Sequence, residues 1–225
     1  MTLDEIRIRV WSRLDEDSDD ALRYSQADVD EAINDGIQHF CVRTGCLRAS
    51  TTITQTANQL FHDLPSDLVF IARIKSDTTN DPLVPTSARQ LDAGSRRSNR
   101  DWERRLGTSA DFYLPFGMDE VGLYPLSSSG TETYTLHYAQ DPGTSNVSAD
   151  ADEPSIPLEY HEALVEYAVS RLLMTESKID EAKEAMEMYL EAVVSAKAKR
   201  TNLDSEYTHG PRSSRESRSV GTVRV

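Results

Sequence analysis

The longest stretch of regular periodicity, residues 156–200, constrains the fold more than any other part of the chain. Its apolar residues recur at the three- and four-residue spacing of amphipathic helices. Two successive stripes are present: Leu164, Val165, Ala168, Leu172 and Leu173, then Ile179, Ala182, Met186, Tyr189, Leu190 and Val193. The period is interrupted around residues 174–177, and Ser177 with Asp180 resembles a weak capping box. The pattern predicts two helices, over 158–174 and 178–199, folded as a hairpin.

The first 46 residues predict two more helices. Thr2 with Glu5, and Ser25 with Asp28, form capping boxes, and Gly45 is a typical helix stop. Gly36 inside the second helix costs about 1 kcal/mol relative to alanine, which we expect close packing against the C-terminal hairpin to offset. Each helical region is too short to bury its stripe alone, so we expect the four helices to form one bundle.

The central part of the chain has the pattern of β-strands. Residues 131–139 alternate cleanly, which places His137 with its threonine neighbours on one face and Tyr134, Leu136 and Tyr138 on the other. Further strands are predicted within 47–55, 59–62, 68–75, 83–85, 112–115 and 121–125. These segments predict a small antiparallel sheet or sandwich of about five or six strands.

The predicted fold class is therefore α+β: a helical bundle built from N- and C-terminal helices, with an inserted antiparallel β domain and an extended C-terminal arm. The predicted divisions are N-terminal helices (1–46), β-rich insert (47–140), linker (141–155), C-terminal hairpin (156–200) and arm (201–225). The linker is rich in proline, glycine, aspartate and serine.

Charge is distributed unevenly along the chain. The net charge of −14 opposes nucleic-acid binding over the whole surface, because phosphate contacts need a basic face. The C-terminal region is basic, and its candidate partner-binding residues are Lys197, Lys199, Arg200, Arg212, Arg215, Arg218 and Arg224. Such an arm suits an acidic partner surface or nucleic acid, although a purely solubilising tail has the same composition.

A second basic patch lies in the middle of the sequence. It comprises Arg89, Arg96, Arg97, Arg100, Arg104 and Arg105, with Trp102 among them. One interpretation is contact with DNA phosphates or a neighbouring subunit, with Trp102 as an apolar anchor. The other is that these arginines pair with the protein's own excess acids. Both stay open at the level of sequence.

The sequence contains no complete catalytic or metal-binding motif, so we expect no enzymatic activity, metal or cofactor. His161 and Glu162 begin a zinc-binding H-E-x-x-H pattern, but Val165 replaces the second histidine, so we expect His161 on a helix surface. The acidic run at 15–20 lacks the glycine and glutamate of a calcium loop. Cys41 and Cys46 are predicted to be reduced packing residues. No apolar run reaches the length of a membrane span, so no membrane association is expected.

Several local sequences, in this order, resemble head–tail adaptor (connector) proteins of tailed bacterial and archaeal viruses. They are YSQADVDEAINDG (24–36) with Thr44 and Gly45, FHDLPSD (61–67), VGLYP (121–125), and IPLEYHEALVEYA (156–168) with Arg171 and Leu172. Each is a helix start, a turn or a strand edge, and it is their order and spacing over roughly residues 1–195 that carries the resemblance.

The resemblance implies a structural virion protein located in the neck and assembled in the host cytoplasm. It implies a ring of about twelve copies between the portal protein and the tail or neck proteins, which extends the channel for packaged DNA. It also implies that the C-terminal arm grips the portal. The sizeable β-insert and the acidity depart from the simplest family members. The alternatives are another neck or tail-tube protein of a tailed virus, or an acidic DNA-binding or regulatory protein.

Overall fold

The computed structural model describes residues 1–15, 23–98, 102–143 and 146–208, with the side chains of 94–98 and 202–208 left undescribed. Its helices are α1 (Leu3–Arg13), α2 (Gln26–Thr44), α3 (Ala88–Ser98), α4 (His161–Thr175) and α5 (Ile179–Thr208). Its strands are β1 (Arg48–Thr54), β2 (Phe61–Asp63), β3 (Leu68–Ser76), β4 (Val84–Pro85), β5 (Leu106–Gly107), β6 (Phe112–Phe116), β7 (Glu120–Tyr124), β8 (Leu126–Ser127) and β9 (Thr133–Gln140). The predicted α+β class, with terminal helices flanking a β region, is confirmed.

Local helix signals in the sequence correspond to the observed helix ends. Thr2 and Ser25 accept hydrogen bonds from the backbone N–H groups of Glu5 and Asp28, and both capping boxes are complete. Gly45 ends α2 in the left-handed conformation, with φ of 61°. A residue with a Cβ is strained in this conformation, and glycine is not.

Helices α1, α2, α4 and α5 share one apolar core, as the stripes predict. Ile6, Phe40, Leu164 and Tyr189 are fully buried in it. Gly36 is a point of close approach between α2 and α4, because a Cβ added there would lie 2.9 Å from Cδ1 of Tyr167 on α4. The expected close packing of Gly36 against the hairpin is confirmed.

The hairpin between α4 and α5 differs from the prediction at two points. Ser177 does not cap α5: it has a φ of 62° and ends α4, with its N–H donating to Met174 O and the Lys178 N–H to Leu173 O. This pair of bonds is a Schellman motif, which satisfies the last carbonyls of a helix. Helix α5 also continues to Thr208, past the predicted end at residue 199 and into the expected arm. Residues 209–225 lie outside the described part of the chain.

The β region is more divided than the single sheet or sandwich that the sequence predicts. Strands β1, β9 and β3 form a three-stranded antiparallel sheet, with β9 in the centre. A second sheet has the order β2-β7-β6-β4, and β5 pairs with β8. The two-residue pairs β4–β6 and β5–β8 are parallel, whereas the longer strand pairs are antiparallel, as predicted for the insert. Sequence periodicity identifies strands but does not identify their partners, which is why this division was missed.

The predicted linker after β9 is tied to the helical bundle. The Asn34 side chain accepts hydrogen bonds from the backbone N–H groups of Asn146 and Val147, at 2.9 and 3.0 Å, and donates one to Val147 O. The Leu3 N–H donates to Asp152 O at 2.8 Å. Val147 itself is buried in the bundle core. These bonds seat the segment from residue 146 against α1 and α2.

Candidate interaction surfaces

The basic residues at the end of α5 are engaged within the protomer to different degrees. Lys197 is exposed. Lys199 Nζ lies 2.5 Å from Glu159 Oε1, and this carboxylate raises the pKa of Lys199. Arg200 donates to Thr44 O and lies over the ring of Phe70. The remaining arm residues, Arg212, Arg215, Arg218 and Arg224, lie outside the described part of the chain.

Arg200 joins the helical bundle to the β region. Its guanidinium carbon is 5.2 Å from the centroid of the Phe70 ring on β3, while the same group binds the last carbonyl of α2. A side chain at Gly45 would fill this junction, since a Cβ there would lie 2.5 Å from Phe70 Cζ. A cation near the C-terminus of a helix is favourable because unpaired carbonyls concentrate negative charge there.

The arginine patch at 89–105 is only partly described. Arg89, Arg104 and Arg105 are exposed, and Arg105 Nη1 lies 3.3 Å from the Tyr124 hydroxyl. The side chains of Arg96 and Arg97 on α3 are not described, and Arg100 lies outside the described residues. Whether this patch contacts DNA or a subunit remains a prediction.

Trp102 does not fit the role of a surface anchor that its position in the sequence suggested. Its side chain is buried with Leu114 and Tyr124. Its indole N–H donates to Asp92 Oδ1 at 2.7 Å. An indole in a core with its polar atom satisfied presents little surface to a partner. Trp102 therefore holds α3 to the second sheet.

His161 is buried as well, contrary to the expected helix-surface position. Its Nδ1 accepts a hydrogen bond from the Met1 amino group at 3.1 Å, and its Nε2 lies 3.0 Å from Ile156 O. Both ring nitrogens thus have partners that fix the start of α4 against the N-terminus. Within the described ranges no group of three or more His, Cys, Asp or Glu side chains could hold a metal ion.

The two cysteines are free thiols, as predicted, with their sulfur atoms 3.8 Å apart. Hydrogen bonding between the two thiols lowers the pKa of Cys46 to about 6, while the same interaction together with burial raises the pKa of Cys41. Cys41 is buried and Cys46 is half-buried. The pair packs at the end of α2.

The structure assembles a further basic surface that sequence analysis missed. In the first sheet, Arg73 on β3 lies opposite His137 on β9, which lies opposite Ser50 on β1. The next outward row is Lys75, Thr135 and Thr52. We call this outward side, with Arg48, the basic sheet face. The three strands contain no Asp or Glu, although the chain as a whole carries 38 acidic residues.

An acidic and apolar surface lies on α5. Glu184, Glu187 and Glu191 are exposed on the side opposite the buried Tyr189 and Val193. Leu190 and Val194 flank them and are 44% and 66% exposed. We call these five exposed residues the acidic α5 face. Its acid spacing was visible in the sequence, but the exposure of Leu190 was not, since the apolar stripe had placed it in the core.

A third exposed surface, which is apolar, lies at the turn between β6 and β7. Phe116 is 53% exposed and Met118 is 93% exposed. Beside this turn lies an open cleft of about 420 Å³ that Leu64, Leu68 and Tyr113 help to line. Exposed apolar residues of this size commonly mark contact surfaces.

Helices and strands thus form an α+β protein whose distinctive surfaces are charged and apolar patches suited to protein contacts. The SU10 adaptor protein family model matches residues 1–215, so the chain belongs to the SU10 adaptor protein family. It is a structural head–tail adaptor of a tailed virus and a component of the virion. No curated protein matches the sequence. None of the helices in the described residues combines the length and apolarity needed to cross a bilayer.

Proposed function

We propose that this adaptor forms a closed ring of about twelve copies between the portal and the tail, extending the channel through which DNA passes. The observation that carries the proposal is the family match over residues 1–215, which covers the bundle, the β region and α5 together. A cyclic ring requires two different complementary patches on each protomer, because its contacts are head-to-tail. The basic sheet face and the acidic α5 face meet this requirement.

The portal is the proposed partner at one end of the ring, with tail or neck proteins at the other. Helix α5 continues for two turns past Arg200, to Thr208. The basic residues from 209 onward are the segment that we propose contacts the portal. We further propose that assembly occurs in the host cytoplasm and that the chain acts without catalysis or a cofactor.

Net negative charge supports passage of DNA without adhesion. Strong DNA binding depends on basic side chains that release counterions from phosphates, and the net charge of −14 disfavours such contacts over most of the surface. Exposed carboxylates outside the acidic α5 face would suit a channel wall along which DNA slides.

The experiment is to measure the mass of the purified chain alone, with purified portal protein, and with purified tail-tube or neck subunits. Rings that form on portal and appear as stacked rings by electron microscopy are the expected result. A chain that ignores portal at every salt concentration but joins tail subunits would support the tail-tube or neck alternative instead. Binding to free DNA that falls steeply with salt would favour the DNA-binding alternative.

A further inference from the structure

We propose that the acidic α5 face of one copy docks along the basic sheet face of a second copy. This inference rests on the proposed function, because it names the surfaces that would hold neighbours together in the ring. It is carried by charge complementarity between two exposed faces.

The basic sheet face is distinctive because its three strands contain no Asp or Glu in a strongly acidic chain. Arg73 and His137 are exposed, and Thr52 and Ser50 line their strands with hydroxyl groups. None of the strand residues is acidic. Asp77, which follows β3, accepts a hydrogen bond from Thr135 at 2.5 Å, and Lys75 Nζ donates to Asn80 Oδ1 at 2.6 Å. The face therefore offers positive charge and hydrogen-bond donors.

One end of this face is already covered by the same protomer. Ala139, which pairs with Arg48 and Phe70, is fully buried where Phe70 meets Arg200 and the end of α2. The rows through His137 and Thr135 lie beyond that contact. The uncovered part is three strands wide, or about 10 Å, which matches the diameter of one helix.

The acidic α5 face has the spacing needed to fill this position. Glu187 and Glu191 are four residues apart on a helix, a rise of about 6 Å. Arg73 and Lys75 are two residues apart on a strand, a separation of about 6.6 Å. A helix lying along β3 would therefore set each glutamate against one cation. Leu190 and Val194 would meet the methyl groups of the threonine side chains.

A second copy fits better than the other candidate occupants. The chain's own C-terminal residues are rich in arginine and would face like charge on the sheet. DNA bound to the sheet face would pair with its cations. It would leave Leu190 and Val194 of the acidic α5 face without the apolar partner that they need. Within one protomer, the acidic α5 face points away from the bundle core, so the contact has to come from a neighbour.

The test uses two double charge reversals in the full chain. The first variant carries Glu187→Lys and Glu191→Lys, and the second carries Arg73→Glu and Lys75→Glu. Self-association is measured by mass photometry over a range of concentration and salt, alone and on purified portal. Each variant alone should associate at least about tenfold more weakly than the wild type, since like charges then oppose each other across the interface.

Mixing the two variants provides the decisive measurement. In a 1:1 mixture, reversed α5 meets reversed sheet in one contact and native α5 meets native sheet in the next. Assembly should therefore return, with the two variants alternating around the ring. A mixture that fails to recover, although both variants retain the wild-type unfolding midpoint, would overturn the pairing of these two faces.

A matched control separates this contact from a general effect of charge. Glu31→Lys with Glu153→Lys makes the same change at two exposed glutamates elsewhere and should leave association unchanged. If every variant assembles like the wild type, the proposed pairing fails while the adaptor ring stands. If the wild type is monomeric both alone and on portal, the proposed ring itself fails, and this interface fails with it.

Discussion

Arg200 stacks on Phe70 with its guanidinium carbon 5.2 Å from the ring centroid, so that a helix of the bundle touches a strand of the β region directly. The same guanidinium binds Thr44 O at the end of α2. We expect Arg200→Ala to lower the free energy of unfolding by about 1–3 kcal/mol, through loss of a charged hydrogen bond and a cation–π contact. Urea unfolding followed by fluorescence measures the change.

The control for this variant is the neighbouring Lys199→Ala. Lys199 makes an exposed ion pair with Glu159, so its removal should cost less unfolding free energy than the removal of Arg200. Equal losses in the two variants would show that Arg200 contributes no more than a surface lysine.

Replacing Gly36 should destabilise the bundle although alanine is the better helix former. An added Cβ would lie 2.9 Å from Cδ1 of Tyr167, whose ring is itself packed between His39 and Tyr189. We expect Gly36→Ala to lose a net of about 1 kcal/mol, because overpacking outweighs the gain in helix propensity. Thermal unfolding compares it with Glu31→Ala at an exposed site on α2. A more stable Gly36→Ala variant would mean that α2 and α4 have room to separate.

Arg7 should be far more sensitive to substitution than Arg9 on the same helix. Arg7 is buried and binds Asp30 on α2 and Asp150 after the β region, the latter at 2.5 Å. We expect Arg7→Met to lower the free energy of unfolding by about 2–4 kcal/mol, because the substitution leaves Asp30 without its cation. The loss is smaller than for a fully buried ion pair because Asp30 is partly exposed. The measurement is the unfolding free energy in denaturant.

The matched variant Arg9→Met removes an exposed ion pair with Glu162. Such pairs contribute less than about 1 kcal/mol, so this variant should unfold close to the wild type. Similar values for the two variants would contradict the structural role assigned to Arg7.

Ser177→Gly should stabilise the hairpin between α4 and α5. Ser177 has a φ of 62°, which is unfavourable for a residue with a Cβ and costless for glycine. The expected gain is about 0.5–1 kcal/mol after the larger chain entropy of unfolded glycine is subtracted. Calorimetry should show a higher unfolding midpoint. The same change within α5, Ser195→Gly, should lower it, because there the backbone is helical.

Glu176 should contribute to stability in a pH-dependent way. Lys178 above all, and then Arg23 and Tyr24, lower the pKa of this carboxyl below its usual value of 4.5. A carboxyl with a depressed pKa in the folded state stabilises the protein above pH 4.5, and this contribution is lost as the pH falls through the folded-state value. Glu176→Gln should therefore be less stable than the wild type at neutral pH, with the difference shrinking in acid.

Unfolding curves collected from about pH 7 down to about pH 3 would measure this convergence. Glu181→Gln changes the net charge equally at an exposed helix position and controls for the charge alone. A constant difference between wild type and Glu176→Gln over this range would show that the ion pairs with Lys178 and Arg23 contribute nothing.

Features encoded over a few residues could be predicted from the sequence. The capping boxes at Thr2 and Ser25, the helix stop at Gly45 and the alternation in β9 depend on neighbours within about four residues, so local chemistry identifies them. The family resemblance also rests on such local phrases. Ser177 is the exception, because its side chain suits a helix start and its backbone is used to end the preceding helix.

The candidate surfaces could be predicted only in part, because burial depends on contacts between residues that are far apart in the sequence. Trp102 and His161 carry polar ring nitrogens. Their burial is favourable because Asp92 and the Met1 amino group form hydrogen bonds with these nitrogens. Helix α5 extends beyond its predicted end at residue 199. The sequence near that residue contains no proline or glycine that would mark a helix end.

The amino-acid sequence by itself determined the helices, most strands, the acidic balance and the adaptor family. The tertiary structure decided which strands are neighbours, and thereby brought His137 onto the same face as Arg73 and Lys75 from a distant part of the chain. It also placed the Arg200 guanidinium in a hydrogen bond with Thr44 O of the same protomer. Strand register and burial depend on contacts between residues far apart in sequence, and periodicity within a segment carries no information about them.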